Sequence, residues 1–339
     1  MSTRKVTMRD VARAAGVTQS TVSRVVAPIP GGVQISDETR RRVLAAIEEL
    51  GYHPNQYARS LRGQKSRMIA ILIADITNPF YHPLVRAIQD VAYQHSYDVM
   101  IANSDHSRDK EWLFVESLSR RPVDGAVISP YHLGATELDD LMARTGVAIA
   151  AVGSRIEHPR IDVSYGDDAK ATYELVRWLI ENRGHRRLAM ICANREFVVT
   201  QHRLAAFQAA LADAGLECAP ECVVAGDWSV ETGRGGIERL MALADRPTAI
   251  FAASDTIAIG ALEGAQALGY EVPGDVAIVG FDDIPEAQWV RPRLTTVAQY
   301  PAEMGRHLAT ALFERIGGDP DLDRRVFEVP CKFIERESA

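Results

Sequence analysis

One stretch near the N-terminus, TMRDVARAAGVTQSTVSR at residues 7–24, constrains the fold more than any other part of the chain. Apolar and small residues recur at helical spacing on both sides of Gly16, so the stretch predicts two short helices joined by a tight turn. Gly16 can adopt the positive φ of a helix-ending turn, and Val22 is then expected in the seam between the helices. We therefore predict a helix-turn-helix, with an ordinary surface helical hairpin as the alternative.

The start of the second predicted helix carries candidate DNA contacts. Thr18 is a suitable N-cap, because its hydroxyl can accept a backbone N–H of the first turn. The side chains of Gln19, Ser20 and Arg24 are expected to project outward with donors suited to base edges.

The charge distribution supports a DNA-binding N-terminal segment. Up to Arg67 the chain has 12 lysine and arginine residues against 5 acidic residues, whereas the remainder has 26 against 40. A basic segment of this size is expected of a module that binds phosphates, while an acidic body repels DNA and must serve another purpose. The sequence thus predicts a DNA-reading head on a larger body.

Length and composition limit the class of protein. With 339 residues, of which 47% are hydrophobic, the chain suits one small and one large globular unit. No apolar run resembles a secretion signal or a membrane span, so we expect a cytoplasmic protein with no membrane partner. The four cysteines lack metal-ligand spacing and are expected as reduced thiols, with no metal and no cofactor.

A third helix and a linker follow the helix-turn-helix. Ser36 is a predicted N-cap and Gly51 a predicted stop, and the arginines at positions 40–42 either reach phosphates or form a solvated face. Residues 54–67 predict a short hinge helix whose Leu61 fits an apolar wedge in the minor groove. The candidate DNA contacts in this hinge are Asn55, Ala58, Arg59 and Leu61.

From residue 68 onward, short apolar runs alternate with amphipathic segments. This pattern predicts buried parallel strands connected by helices, and such sheets bind ligands beyond the carboxyl ends of their strands. The predicted strands lie at residues 68–74, 98–102, 124–129, 147–152, 187–193, 248–253 and 275–281.

Residues close to these strand ends and to helix starts nominate a site for a small polar effector. Aromatic rings can cover its apolar face, Asp and Ser can bond hydroxyls, and Arg203 can pair with a ligand carboxylate or fix Asp282. Taken singly, Phe80 and Trp228 could instead be core residues, Asp255 an N-cap and Arg203 part of a surface salt bridge. The candidate residues are Phe80, Tyr81, Ser129, Ser154, Arg203, Trp228, Asp255 and Asp282.

Several segments together resemble the lactose-repressor/galactose-repressor (LacI/GalR) family of bacterial transcription regulators. They include VTMRDVARAAGVTQSTVSRVV, ISDETRRRVLAAIEELGYHPNQYARSLRG, NPFYHPL, AASDTIAIGAL and VAIVGFDD, and the resemblance covers nearly the whole chain. It implies that Gln19, Ser20 and Arg24 occupy base-reading positions, that Leu61 is the minor-groove wedge, and that the ligand lies between two similar lobes. By the same analogy, the chain crosses between the lobes near residues 162–168, 297 and 328.

The resulting prediction is a small all-α helix-turn-helix headpiece (1–53), a hinge (54–67) and an α/β body of two similar parallel-sheet lobes (68–339), like the periplasmic binding proteins. We expect a repressor that binds double-stranded operator DNA as a homodimer and is controlled by a small-molecule effector. An enzyme is disfavoured because no phosphate-binding glycine loop, nucleophile elbow or HExxH motif occurs. A solute-binding protein would share the two lobes but not the basic head.

Overall fold

The computed structural model describes residues 6–26, 34–52, 65–318 and 322–339. The chain divides into a small unit, Met1–Ser66, and a large unit, Arg67–Ala339. Within the described residues, no helix is both long and apolar enough to cross a membrane.

The small unit contains the predicted helix-turn-helix. Helix α1 spans Met8–Ala14 and helix α2 spans Gln19–Val26, with Gly16 between them at φ +65°. Thr18 precedes α2, and its hydroxyl accepts the Thr21 N–H at 3.2 Å. Val22 is fully buried in the seam, as its helical spacing predicted.

The third helix closes the core of the small unit. Helix α3 spans Asp37–Leu50, begins with Ser36 accepting the Thr39 N–H at 3.3 Å, and ends at Gly51 with φ +60°. Val43 and Ala46 face the apolar side of α1 and α2. The arginines at positions 40–42 are exposed, which suits both of their predicted roles.

The first lobe of the large unit is built on a six-stranded, wholly parallel sheet with the order β11-β5-β4-β3-β1-β2. Continuous apolar strands suit this position because helices cover both faces of the sheet. The first-lobe elements are β1 Met68–Ile73, α4 Tyr81–Gln94, β2 Asp98–Asn103, α5 Arg108–Arg120, β3 Gly125–Ile128, α6 Ala135–Thr145, β4 Ala148–Val152, β5 Asp162–Gly166, α11 Pro301–Gly317 and β11 Val326–Val329.

The second lobe has a four-stranded parallel sheet with the order β7-β6-β8-β9. Beside it, β10 pairs antiparallel with β12. The second-lobe elements are α7 Asp168–Glu181, β6 Leu188–Cys192, α8 Val198–Asp213, β7 Val223–Ala225, α9 Val230–Met241, β8 Ala249–Ala252, α10 Asp255–Ala267, β9 Ala277–Val279, β10 Thr296–Ala298 and β12 Lys332–Ile334; short 3₁₀ turns span Pro220–Cys222 and Pro285–Gln288.

Helices α9 and α10 approach each other through glycine. A Cβ added at Gly233 would lie 1.9 Å from the Ile257 carbonyl oxygen, and one added at Gly260 would lie 1.9 Å from the Val230 carbonyl oxygen. The two helix backbones are therefore in direct contact, which only glycine permits at these positions.

The chain crosses between the lobes three times, at the places that the family resemblance implied. The connections follow β5, β10 and β11, and they meet at Gly166, Gln299 and Cys331. A Cβ at Gly166 would lie 2.9 Å from the Cys331 Sγ and 3.3 Å from the Gln299 Oε1. The absence of a side chain at Gly166 thus lets the three connections lie side by side.

All seven predicted strands are present, and the predicted α/β class is confirmed. Sequence reasoning did not single out β5, β7, β10, β11 and β12 as strands. Each has three to five residues. Length does not separate them from the predicted strands, but β5, β10, β11 and β12 each contain polar residues and so lack a continuous apolar run. Pairing within the tertiary fold determines their conformation.

Candidate effector cavity and DNA-binding residues

A cavity of about 410 Å³ lies between the two lobes of the large unit, at the carboxyl ends of their strands. Its volume is in the range of small-molecule sites. Seven of the eight predicted effector residues lie in its wall: Phe80, Tyr81, Ser129, Ser154, Arg203, Trp228 and Asp282. Their contact with a ligand remains a prediction.

The first-lobe wall is an aromatic surface with a hydroxyl pair. The side chain of Asn78 accepts the Phe80 N–H at 3.0 Å and fixes the turn into α4. Phe80 and Tyr81 then meet edge to face with ring centroids 5.2 Å apart. The Tyr81 hydroxyl lies 3.3 Å from the Ser129 Oγ, and burial raises the pKa of Tyr81. This wall therefore presents neutral hydroxyls beside a ring face.

On the second-lobe wall, Arg203 is almost fully buried on α8. Its Nη1 donates to the Ala253 carbonyl at 2.5 Å, and its Nη2 donates to the Asp168 Oδ1 at 3.2 Å. The guanidinium carbon lies 3.8 Å from the centroid of the Phe281 ring. Both terminal nitrogens thus bond protein oxygens, and Asp168 takes the place that we expected for Asp282 or a ligand carboxylate.

Asp282 lies at a strained position of the same wall, with φ +128°. The Gln299 Nε2 donates to its Oδ1 at 2.5 Å, so the cavity is bonded to a residue at the meeting point of the lobe connections. Burial raises the pKa of Asp282 well above its usual value, against the opposing effect of Arg203. Burial therefore shifts the equilibrium of Asp282 towards the neutral acid, a form that can both donate to and accept from a ligand hydroxyl.

Asp255 is the one effector candidate that the structure does not bring to the cavity. Ser254 is the N-cap of α10, and Asp255 is the first residue of the helix. Its fully buried carboxyl accepts the Ile284 N–H at 2.9 Å and the Thr296 hydroxyl at 2.5 Å. Burial raises the pKa of Asp255 to about 7. A strand end has two sides, and Asp255 lies on the side that packs against the neighbouring loop.

Sequence reasoning missed several cavity residues. Tyr131 belongs to the loop after a predicted strand, whereas Asp167, Asp168 and Gln299 follow strands that were not recognised as such. The feature of the sequence that could have identified these residues is their position, because each follows a strand or lies in a connection between the lobes. The residues missed include Tyr131, Asp167, Asp168, His202, Gln299, Met304 and Glu328.

An aromatic contact joins the lobes beside the cavity. Phe197 precedes α8 in the second lobe, and its ring meets that of Tyr131 of the first lobe at 4.7 Å and 71°. It also stacks on His106 of the first lobe at 5.6 Å and 25°. Such aromatic contacts each contribute about 0.5–1.5 kcal/mol beyond the burial of area. The lobes are therefore held together by apolar rings in this arrangement.

The loop that carries Tyr131 is held from two sides. The buried carboxylate of Glu111 on α5 accepts the backbone N–H groups of residues 131, 132 and 133 at 2.7, 3.0 and 2.7 Å. Arg155 donates to the carbonyls of His132 and Leu133, each at 3.2 Å. Glu111 and Arg155 therefore position this aromatic side of the cleft.

We expect the interlobe contact to weaken below neutral pH. Burial lowers the pKa of His106, against the raising effects of Asp75, Asp105 and Asp227, so the folded protein holds the imidazole neutral more firmly than the unfolded chain does. Its contribution is complete above its unfolded pKa of about 6.5 and is lost as the pH falls towards the folded pKa. The thermal midpoint of the wild type should therefore fall more between pH 7.5 and 5 than that of His106→Asn. Equal falls in the two proteins would contradict this role of His106.

The predicted recognition residues lie on the exposed side of the helix-turn-helix. Thr18, Gln19, Ser20 and Arg24 are all exposed, and the Thr18 Oγ1 lies 2.7 Å from the Ser20 Oγ. The buried side of α2 packs through Val22 and Val25 instead. The other four DNA-binding candidates, Asn55, Ala58, Arg59 and Leu61, lie outside the described residues.

Comparison with known proteins covers both units. Residues 7–55 match the family model of bacterial regulatory proteins of the lacI family, and residues 179–339 match that of periplasmic binding protein-like domains. Catabolite control protein A of Priestia megaterium is 32% identical, covering 98% of this chain and 99% of that protein. The HTH-type transcriptional repressor PurR of Mannheimia succiniciproducens is 30% identical over 98% of each chain.

A solved structure with a similar fold is the Lac repressor dimer bound to operator and the anti-inducer ONPF. It is 26% identical to this chain, with a TM-score of 0.83, and the match covers 99% of both chains. The small helical unit and the two-lobed unit therefore occur together in a known DNA-bound regulator.

Proposed function

Because this chain belongs to the lacI family of bacterial regulatory proteins, we propose that it is an operator-binding repressor controlled by a small polar effector in the interlobe cavity. The observation that carries the proposal is that one chain combines two features: an exposed polar side of α2, and a cavity between the two lobes of the large unit. The end-to-end similarity to a named transcriptional repressor supports it. Operator binding places its action in the cytoplasm, where the bacterial chromosome lies.

We assign base reading to α2. Arg24 can bond a guanine edge with two donors or contact the adjacent phosphate, while Gln19 and Ser20 are suited to neighbouring bases. One short helix reads few base pairs, so two heads of a homodimer are needed for a specific site. The operator is then expected to be a pseudo-palindrome.

The effector acts by contacting both lobes. Phe80 and Ser129 belong to one lobe, whereas Trp228 and Asp282 belong to the other, so a bound molecule would stabilise one lobe arrangement over another. A coupling of about 1–3 kcal/mol between effector and operator binding is sufficient for regulation. The alternative of a solute-binding protein is not favoured, because it leaves the matched segment 7–55 without a role.

Gln19→Ala is expected to change the preferred DNA sequence more than the non-specific affinity. Each base-reading contact should contribute about 1–3 kcal/mol of discrimination. Selection of binding sites from random DNA, with the wild type and the variant in parallel, measures the change. Gln266→Ala, which removes an exposed glutamine of α10, is the matched control and should leave the consensus unaltered. An unchanged consensus for Gln19→Ala would remove Gln19 from the base-reading set.

A mobility-shift assay with fragments of the source genome tests the function itself. The full chain should retard specific fragments in excess competitor DNA, and Arg24→Ala should lose that retention. If no fragment is selected over random DNA at moderate salt, the proposed repressor function is wrong.

A further inference from the structure

We propose that Phe197 is a latch that keeps the two lobes closed through contacts of the protein alone, so that its removal opens the cleft without any ligand. The latch consists of the Phe197 ring of the second lobe and an aromatic socket in the first lobe, formed by His106, Tyr131 and His132. The effect of the latch on operator binding rests on the proposed function, whereas its effect on the lobes can be measured without DNA.

Phe197 is enclosed by the three rings of the aromatic socket. Its ring centroid lies 4.7 Å from that of Tyr131, 5.6 Å from that of His106 and 6.2 Å from that of His132. His106 and Tyr131 also meet each other edge to face at 4.5 Å. Only 8% of Phe197 is exposed. Because Phe197 and the socket belong to different lobes, separation of the lobes would return an apolar ring to water.

The aromatic socket is built entirely by contacts within the first lobe. Asp105 and His106 both have positive φ, +46° and +54°, a conformation that is unfavourable for residues other than glycine and must be held by its surroundings. The Asp105 N–H donates to the Ala74 carbonyl at 2.7 Å, and the His132 Nε2 lies 2.9 Å from the His106 carbonyl oxygen. The Glu111 carboxylate holds the backbone of residues 131–133. None of these contacts is lost when the second lobe moves away.

The latch contacts do not depend on an occupied cavity. Of the four rings, Tyr131 lines the cavity, whereas His106, His132 and Phe197 lie outside its wall. The contacts of Phe197 are therefore made between protein rings beside the cavity and need no ligand to bridge them.

Carboxylates of both lobes converge beside the latch and oppose closure. Burial lowers the pKa of His106, whereas the charges of Asp75 in the first lobe and Asp227 in the second lobe raise it. Hydrogen bonds from Ser229 and Thr232 lower the pKa of Asp227 and favour its ionised form. Like charges from the two lobes are thus brought towards one another in the closed cleft, and they repel. Loss of the ring contacts that offset this repulsion favours the open arrangement.

The latch is joined directly to the cavity wall. Phe197 immediately precedes α8, and residues 198, 199, 202 and 203 of this helix line the cavity. Movement of Phe197 out of the aromatic socket therefore carries the second-lobe wall away from the first-lobe wall. Through α8, the latch acts on the same lobe arrangement that an effector would stabilise.

The test measures the distance between the lobes in the full chain with no small molecule added. Spin labels on keto amino acids replace Glu116 on α5 and Glu238 on α9, two exposed positions, so the native cysteines stay unmodified. A large excess of unlabelled chain ensures that a dimer carries one labelled copy. The wild type should give one main distance. In Phe197→Ala, the ratio of this distance to a longer one should fall at least about fivefold, as the loss of two ring contacts requires.

Phe327→Ala is the matched control, because Phe327 stacks on His307 at 4.9 Å within the first lobe alone. It should keep the wild-type distance. Phe197→Met retains an apolar side chain that can contact aromatic rings through sulfur, and it should lie between the wild type and Phe197→Ala. Thermal unfolding verifies that the variants fold, and Tyr131→Ala, which removes a wall of the aromatic socket, serves if Phe197→Ala does not.

Operator titration of the same proteins, again without a small molecule, measures the regulatory consequence. Phe197→Ala should change operator affinity at least about fivefold, the lower end of typical allosteric coupling, and Phe327→Ala should not. A wild type that is already open, or a Phe197→Ala variant that keeps the wild-type distance, would overturn the latch. If the variant opens but operator affinity is unchanged, the latch stands and lobe control of operator binding fails. If the wild type binds no operator, the proposed repressor function fails, and the distances still decide the latch.

Discussion

Asp282→Ala is expected to abolish the effector response of operator binding while leaving the effector-free affinity for operator nearly unchanged. Asp282 lies in the cavity wall, and its carboxyl accepts from Gln299 beside the three lobe connections. The variant removes a group that can bond a ligand, and it also removes the hydrogen bond from Gln299 that joins the cavity wall to the lobe connections. The full coupling of about 1–3 kcal/mol should therefore disappear.

The measurement is an operator titration with and without the effector, for the wild type and Asp282→Ala. Asp255→Asn is an informative control, because Asp255 is also a buried acid after a strand of the second lobe but bonds Ile284 and Thr296 outside the cavity wall. It should retain the response as long as it folds. A full response of Asp282→Ala at the same effector concentration would place the ligand elsewhere.

Gly233→Ala is expected to have the largest effect on stability. The added methyl would lie 1.9 Å from the Ile257 carbonyl oxygen, so α9 and α10 would have to separate along their contact. Overpacking of this kind typically costs about 1–3 kcal/mol, and we expect about 3 kcal/mol or more because the obstacle is backbone. Denaturant unfolding of the full chain, followed by a probe of the second lobe, measures the loss.

The same helix supplies the matched control. Gly235 lies two residues further along α9, and a Cβ there would meet no atom within 4 Å. Gly235→Ala should therefore stabilise the protein by about 0.4–1 kcal/mol, since it reduces the freedom of the unfolded chain. Equal effects of the two substitutions would show that helix propensity, and not the contact between α9 and α10, governs this region.

The three described helices of the small unit could be predicted almost to the residue because their signals are local. Thr18 before α2, Gly16 in the turn and Ser36 and Gly51 at the ends of α3 act on their own neighbouring backbone. Each of these residues therefore favours the same local backbone conformation whether it is considered in the sequence alone or in the folded protein. The long apolar strands were equally predictable, because a strand that is buried on both faces has a continuous run of apolar residues.

The cavity wall was only partly predictable. Position at a strand end brought Ser129 and Asp282 to the cavity, but the same reasoning applied to Asp255, which turns to the opposite side. Arg203 pairs with Asp168, which follows a connection between the lobes. No local sequence pattern predicts the position of that connection.

The aromatic contact of Phe197 was likewise beyond sequence reasoning. It joins the start of α8 to loops that precede it by many residues, and no spacing rule relates them. Contacts of this kind are determined by how the lobes come together.

The return of the chain to both lobes has a consequence for its synthesis on the ribosome. Strand β11 is an edge of the first sheet and β12 pairs with β10 of the second lobe, so both lobes depend on residues after 325. Even the Ser338 hydroxyl donates to the Ile278 carbonyl at 2.5 Å. Neither lobe can therefore reach its final hydrogen bonding until residues 326–338 have emerged from the exit tunnel. Until then, the nascent large unit has unpaired strand edges. Chaperone protection would matter most during this period.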